Sequence, residues 1–171
     1  MYVQIIFSAT FVPTNFVVAN MKIEEIIKSN SPIPLAKKTL LNIMYTQNCT
    51  AEGFNEVLKN YDLSTEQFNV LRILKGQEGN LANMSVIQER MIAKTSNTTR
   101  LVDKLLLKEL CTREVCPDNR RKIEVSITEK GMKLLEKVNP KVDEFETKWV
   151  EKLSTEELQT LNNLLEKIRI S

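Results

Sequence analysis

The stretch KTSNTTRLVDKLLLKELCTREVCPDNRRKIEVSI, Lys94–Ile127, changes its period half-way along. Up to Leu110 the apolar residues recur at helical spacing, and beyond it they alternate. The helical part opens on polar and basic residues without an acid, so Ser96, Asn97, Thr98, Thr99 and Arg100 fall in its first turn and a half. Such residues cap a helix, or they are aimed at something outside the protein that is polar and negative. At about 100° per residue, Asn97, Arg100, Lys104 and Lys108 lie within roughly 80° of one another. Val102, Leu106 and Leu110 lie opposite, with Thr99 near them at the start, and Asp103 and Glu109 sit off the basic row.

The flanking segments give this helix a context. Downstream, CTREVC and KIEVSI read as strands; Ile123, Val125 and Ile127 share one side of the second. Between them Pro117, Asp118 and Asn119 form a turn, which makes a hairpin tipped by Arg120 and Arg121. Upstream, MSVIQERMIAK predicts a short helix ending near Ala93, with Ser85 as its cap and Gln88 answering three residues later. Two short helices joined by a tight turn of about three to four residues describe a helix-turn-helix. In that motif the polar first turn of the second helix touches base edges. Asn pairs bidentately with adenine and Arg with guanine, and an arginine on an extended loop suits a narrow minor groove. Asp118 is placed to pair with Arg120 or its neighbour and hold the loop in shape. A solvated lysine face and a solvated turn are the bland readings of each part alone. The two in succession are far more specific than either.

Charge agrees with this location. Net charge is only +2, but Ser85–Lys122 holds nine Lys/Arg against five Asp/Glu, so the segment is +4 and the remainder −2. Gathered positive charge is the footprint of a polyanion partner. Three cysteines (Cys49, Cys111, Cys116) at irregular spacing form no disulfide framework and fit a reducing cytoplasm. With no histidine, the commonest general base and most zinc ligand sets are missing. There is no Gly-rich phosphate loop, nucleophile motif or paired-carboxylate arrangement. The chain therefore reads as a non-enzyme without metal or cofactor. Cys111 takes an apolar position just past the helix and reads as core; Cys116 falls near the base of the hairpin.

The outer segments read as helices. Pro34 suits the start of one running to Tyr61, weakened at Gly53. Ser64 and Gln67 make a capping box before FNVLRIL, as do Ser154 and Glu157 before the last helix. Leu134, Leu135, Val138, Val142, Phe145 and Trp149 keep a helical stripe through Pro140; Leu158, Leu161, Leu164, Leu165 and Ile168 keep another. Such terminal helices exceed what the centre can cover, and an uncovered apolar face usually finds a second copy. Tyr45, Phe54, Phe68 and Trp149 either line a small-molecule pocket or are plain core. Residues 1–20 hold thirteen apolar residues and no charge, but lack the basic leading segment of a signal peptide, and polar residues interrupt the run. They read as an extension ahead of Met21, with an exported or membrane-anchoring segment as the alternative.

Read together, LSTEQFNVLRIL, SNTTRLVDKLLLKELCTREVCPDNRRKIEVSITEKG and the trailing helices resemble the MarR family of bacterial winged-helix regulators, in order from about Leu63 to Gly131. The resemblance implies a mainly α fold with a small β-hairpin wing, a winged helix-turn-helix at 63–127 and dimerisation helices at 33–61 and 128–171, all within one domain over 21–171. It implies a cytoplasmic homodimer that binds a pseudo-palindromic operator in double-stranded DNA, read here as a repressor whose small-molecule effector changes the spacing of the recognition helices. It carries DNA-binding roles to Ser96, Asn97, Thr98 and Arg100, and to Asp118 and Arg120 of an Asp-x-Arg wing. The residues themselves add Thr99, Lys104 and Arg121. Two departures stand out. Residues 1–20 have no counterpart, and Cys49 lies too far inside the first long helix to match the oxidant-sensing branch. A winged helix that docks on an acidic protein instead of DNA is the alternative.

Overall fold

The computed structural model describes residues 21–115 and 123–170. The expected extension at 1–20 and the hairpin tip at 116–122 lie outside them. The chain divides into two compact units, Met1–Gly53 and Phe54–Ser171.

In the first unit, α1 (Ile23–Ile26) is followed by α2 (Leu35–Lys59), which crosses the boundary between the units. Pro34 stands immediately before α2, where its carbonyl accepts the Lys38 N–H at 2.9 Å. Lys38 also pairs with Glu24 of α1 at 2.7 Å, and that hydrogen bond holds the Glu24 carboxyl below its usual range.

The second unit runs α3 (Thr65–Lys75), β1 (Ala82–Asn83), α4 (Met84–Arg90), α5 (Thr98–Leu107), β2 (Cys111–Val115), β3 (Ile123–Ile127), α6 (Glu129–Val150) and α7 (Thr155–Ile168). The strands form an antiparallel sheet in the order β1-β3-β2. This is the mainly helical winged helix-turn-helix architecture that the change of period implies. Strand β1 was not foreseen: two residues carry no periodicity, and only their pairing, Ala82 with Val125 and Asn83 with Glu124, makes them a strand. The hairpin register sets Cys111 opposite Ile127, Arg113 opposite Val125 and Val115 opposite Ile123.

One core joins these elements. Leu71 of α3, Ile87 of α4, Val102 and Leu105 of α5, Val125 of β3 and Leu135 and Val138 of α6 are all fully buried. Burying such side chains stabilises the fold by about 1.5–3 kcal/mol each. The α6 N-terminus is keyed into this core backbone to backbone. The Thr128 hydroxyl donates to the Glu109 carbonyl at 2.8 Å and accepts the Gly131 N–H at 3.0 Å. A Cβ at Gly131 would stand 2.3 Å from the Leu110 carbonyl oxygen, so only glycine permits this approach. Further along α6, Val142 is buried and Phe145 and Trp149 are half-buried, as the stripe predicts.

The capping boxes at Ser64 and Ser154 both form. The one expected at Ser85 does not. Asn83 caps α4 instead, its Oδ1 accepting the Val86 N–H at 3.0 Å, and the helix ends at Arg90 rather than near Ala93. The pairing of Asn83 with β3 fixes extended backbone up to that residue, so the helix begins two positions earlier than the Ser-x-x-Gln pattern suggests.

Candidate nucleic-acid interface

The connection from α4 to α5 is Met91–Asn97, longer than the expected tight turn, and side chains stitch it together. Gln88 of α4 donates from Nε2 to the Lys94 carbonyl at 2.7 Å, and its Oε1 accepts from the Thr98 hydroxyl. The Lys94 ammonium returns to the Glu89 carbonyl. Gln88, expected to serve a cap, is thus the residue that fixes the start of the second helix.

Helix α5 starts at Thr98, with Asn97 as its N-cap: Asn97 Oδ1 accepts the Arg100 N–H at 3.0 Å. A side-chain cap of this kind contributes about 1 kcal/mol. Asn97 is exposed, and its Oδ1, not its Nδ2, serves the helix. Ser96 is half-buried in the turn.

The buried side of α5 runs Thr98, Val102 and Leu105, with Leu101 and Leu106 partly covered beside it. Sequence spacing set Thr99 at the inner start of this side and left Thr98 among the outward residues. The structure exchanges them. Thr98 is 5% exposed and bonded to Gln88, whereas Thr99 is exposed. The inner phase is set by the contact with α4, which no local pattern reveals.

The outer side presents Thr99, Arg100, Asp103, Lys104 and Leu107, all exposed. Lys108, expected in the basic row, is drawn aside. Its Nζ pairs with Asp62 Oδ2 at 2.9 Å and also reaches the Asp62 carbonyl, which ties the end of α5 to the turn after α2. Asp103 is held by Arg113 of β2 at 2.6 Å. Among the described residues, Arg100 and Lys104 are left as the α5 cations that no carboxylate holds. Asp62 and Arg113 shape this face and were not singled out from sequence, and Gln88 was read there only as a cap partner. Their partners lie ten or more residues away in the chain, so no motif announces them.

Asp118, Arg120 and Arg121 lie outside the described residues, as does Cys116. The strands that carry them are in place, braced by the Thr112–Ser126 hydroxyl pair at 2.7 Å. Burial pushes the Cys111 thiol up to about 11, as suits the core position expected for it. Cys49 is half-buried, and its hydrogen bond with Tyr45 raises the phenol above its ordinary value. Phe68 is core, while Phe54, Phe145 and Trp149 form a half-buried aromatic cluster with centroid spacings of 4.9 and 5.5 Å. Among the described residues, no group of three or more Cys, Asp or Glu is arranged to hold a metal ion, and no helix is long and apolar enough to cross a membrane.

The MarR family model matches residues 63–123, which contain the helix-turn-helix and the first arm of the hairpin. The HTH-type transcriptional regulator YpoP of Bacillus subtilis is 33% identical over 132 residues, covering 77% of this chain and 89% of that protein. The chain belongs to the MarR family. It is therefore a winged-helix transcriptional regulator, a family of DNA-binding proteins and not of enzymes. Solved structures of this family share the fold at lower identity. A mutant MarR from E. coli complexed with operator DNA superposes with a TM-score of 0.68 at 23% identity, covering 85% of this chain and 96% of that one. BpsR of Bordetella bronchiseptica, solved to explain regulation of its DNA binding by 6-hydroxynicotinic acid, gives 0.71 at 18% identity, covering 82% and 99%.

Proposed function

We propose that this MarR-family regulator acts in the cytoplasm as a homodimeric repressor on a pseudo-palindromic operator in double-stranded DNA, and that a small-molecule effector releases it. The observation that carries the reading is the outer side of α5. Arg100 and Lys104 stand there without ion partners among the described residues, on the second helix of a helix-turn-helix. An exposed guanidinium near the start of such a helix suits guanine O6 and N7, and an ammonium one turn later suits a phosphate. Thr99, Ser96 and the Asn97 Nδ2 group complete the first-turn donors. Thr98 contributes by fixing that turn from inside. Asp118, Arg120 and Arg121 would form the wing contact, with the aspartate aiming an arginine into the minor groove.

Two copies would present α5 to successive major grooves about 34–36 Å apart. The second copy is supported by α7, which buries no residue and exposes Leu161, Leu164 and Leu165. An effector would act by favouring a dimer geometry in which that spacing is lost. The operator complex of the E. coli neighbour and the small-molecule regulation named for BpsR make both steps reasonable expectations for this fold.

Selection of bound sequences from random duplex DNA tests symmetry and half-site spacing together. On the selected site Arg100→Ala should relax preference at one base pair per half-site, losing about 1–3 kcal/mol. Lys104→Ala should weaken all sequences alike and reduce the log-log salt slope by about 1. A chain that enriches no sequence and binds no duplex at low salt would sink this function in favour of a protein-docking module.

A further inference from the structure

Asp103 presents a difficulty that the proposed DNA reading raises. It lies on the outer side of α5 beside Thr99, Arg100, Lys104 and Leu107, and its side chain is half exposed. A free carboxylate there would face the phosphodiester backbone along with the two cations that are meant to meet it. The structure answers with Arg113. This residue lies in the middle of β2, opposite Val125, and reaches out to α5, where its Nη2 donates to Asp103 Oδ1 at 2.6 Å. Its side chain is only 29% exposed, and its Nε is buried without a hydrogen-bond partner among the described residues. Leaving a buried donor unmet is unfavourable. The guanidinium therefore sits where Asp103 holds it and not where its own hydrogen bonds would be best satisfied. The neighbouring Cys111, two residues back on the same side of β2, anchors the strand beneath α5, its thiol directed at the Val102 carbonyl at 3.9 Å.

We propose that Arg113 is a positioning residue for DNA recognition. It neutralises Asp103 so that the outer side of the recognition helix stays cationic, without touching DNA itself. The proposal rests on the DNA reading above and deepens it. Three alternatives are excluded by different outcomes. Arg113 could be a phosphate contact in its own right. Asp103 could be a base reader, since a carboxylate accepts from cytosine N4. The pair could serve stability alone.

The experiment measures affinity of the full chain for the duplex selected above, with Arg113→Met, Asp103→Asn and the double variant compared with the wild type, and thermal unfolding of each followed in parallel. Arg113→Met keeps the aliphatic stem and should weaken binding tenfold or more by uncovering the carboxylate. Asp103→Asn alone should stay within about threefold of wild type. The double variant should recover to within about threefold as well, because the charge that needed covering has gone. That recovery is a readout that a purely structural bridge would not give.

A double variant as weak as Arg113→Met overturns the proposal in favour of a direct phosphate contact. An Asp103→Asn variant that loses as much as Arg113→Met overturns it in favour of a base-reading or structural carboxylate; unfolding at lower temperature marks the structural case. In each of these the wild type still binds, so the DNA reading survives. A wild type that binds no duplex overturns the DNA reading and this proposal with it.

Discussion

Helices α5 and α7 are written in the same style and meet opposite fates. Each has a side-chain N-cap, an apolar stripe and a charged remainder. Helix α5 buries the centre of its stripe, with Val102 and Leu105 at 0% exposure between α3, α4 and β2. Helix α7 buries nothing, and Leu161, Leu164 and Leu165 stand 37–55% exposed. What each helix shows to the outside therefore differs in kind. Helix α5 shows Thr99, Arg100, Asp103 and Lys104 with a single leucine, Leu107; helix α7 shows a row of leucines. An amphipathic pattern predicts that an apolar side will be covered but does not name the cover. For α5 the cover is the chain's own core. For α7 the exposed leucines call for another surface, and under the proposed function a second copy would supply the same stripe in return. Under the proposed function the two helices divide the work, one facing the polyanion and the other joining the copies.

Truncating one leucine in each helix separates the two roles most sharply. Leu105→Ala removes a fully buried side chain and should cost about 2–5 kcal/mol, the usual range for a core leucine. The loss should be the same at every protein concentration in urea unfolding followed by circular dichroism. Leu164→Ala should behave differently. If α7 pairs with a second copy, its effect lies in the dimer equilibrium, at about 1.5–3 kcal/mol per buried side chain. The variant's melting temperature would then rise with concentration, and sedimentation would show dissociation where the wild type stays paired. A wild-type chain that sediments as a monomer at micromolar concentration removes the second copy from the comparison altogether.

The legible parts of this molecule are those whose cause is local. The boxes at Ser64 and Ser154 form because the residues that satisfy one another stand three apart. The hairpin arms follow from alternation, and the α6 stripe from its 3.6-residue period. Errors begin where a distant partner competes. Ser85 and Gln88 satisfy the same local pattern as the other boxes, yet Asn83 wins the cap because β1 pairs with β3 about forty residues on. Released from that task, Gln88 takes Thr98 as partner and turns it inward, which shifts the inner side of α5 by one residue from the expected phase. Lys108 leaves the basic row for Asp62, across 46 residues of sequence. Of the residues expected on the outer side, Arg100 and Lys104 stay there because nothing elsewhere in the described chain bids for them.

Asn97 is the residue on which the two readings of the opening stretch, cap or contact, can be separated. Asn97→Ala removes the acceptor for the Arg100 N–H and should lower stability by about 1 kcal/mol. Asn97→Ser keeps a side-chain oxygen at the cap and should restore most of that stability. If the Nδ2 group also reads a base, the serine variant will be as stable as the wild type but will bind the selected duplex less selectively. If affinity and selectivity both return with stability, Asn97 is a cap only, and the base contacts of α5 begin at Thr99.

The smallest expected effect concerns how α5 ends. After the cap residue Lys108, the Glu109 N–H donates to the Leu106 carbonyl at 2.9 Å and the Leu110 N–H to the Leu105 carbonyl at 3.0 Å. This is a Schellman closure, and its left-handed position, usually glycine, is Glu109 with φ of 59°. A non-glycine residue there costs about 1–2 kcal/mol. Partial return comes from the exposed pair with Lys130 at 2.7 Å, which solvent and salt screen. Glycine would relieve the strain but brings a more mobile unfolded chain, at about 0.5–1 kcal/mol. The balance favours Glu109→Gly by a small margin, read as a small rise in the urea midpoint at unchanged slope. Lys130→Gln isolates the other side of the balance. It should lower the midpoint slightly at low salt and not at all at about 1 M, where exposed pairs are screened. An unchanged or lowered midpoint for the glycine variant would mean that the ion pair, and not the backbone, decides how tightly α5 is joined to the start of α6.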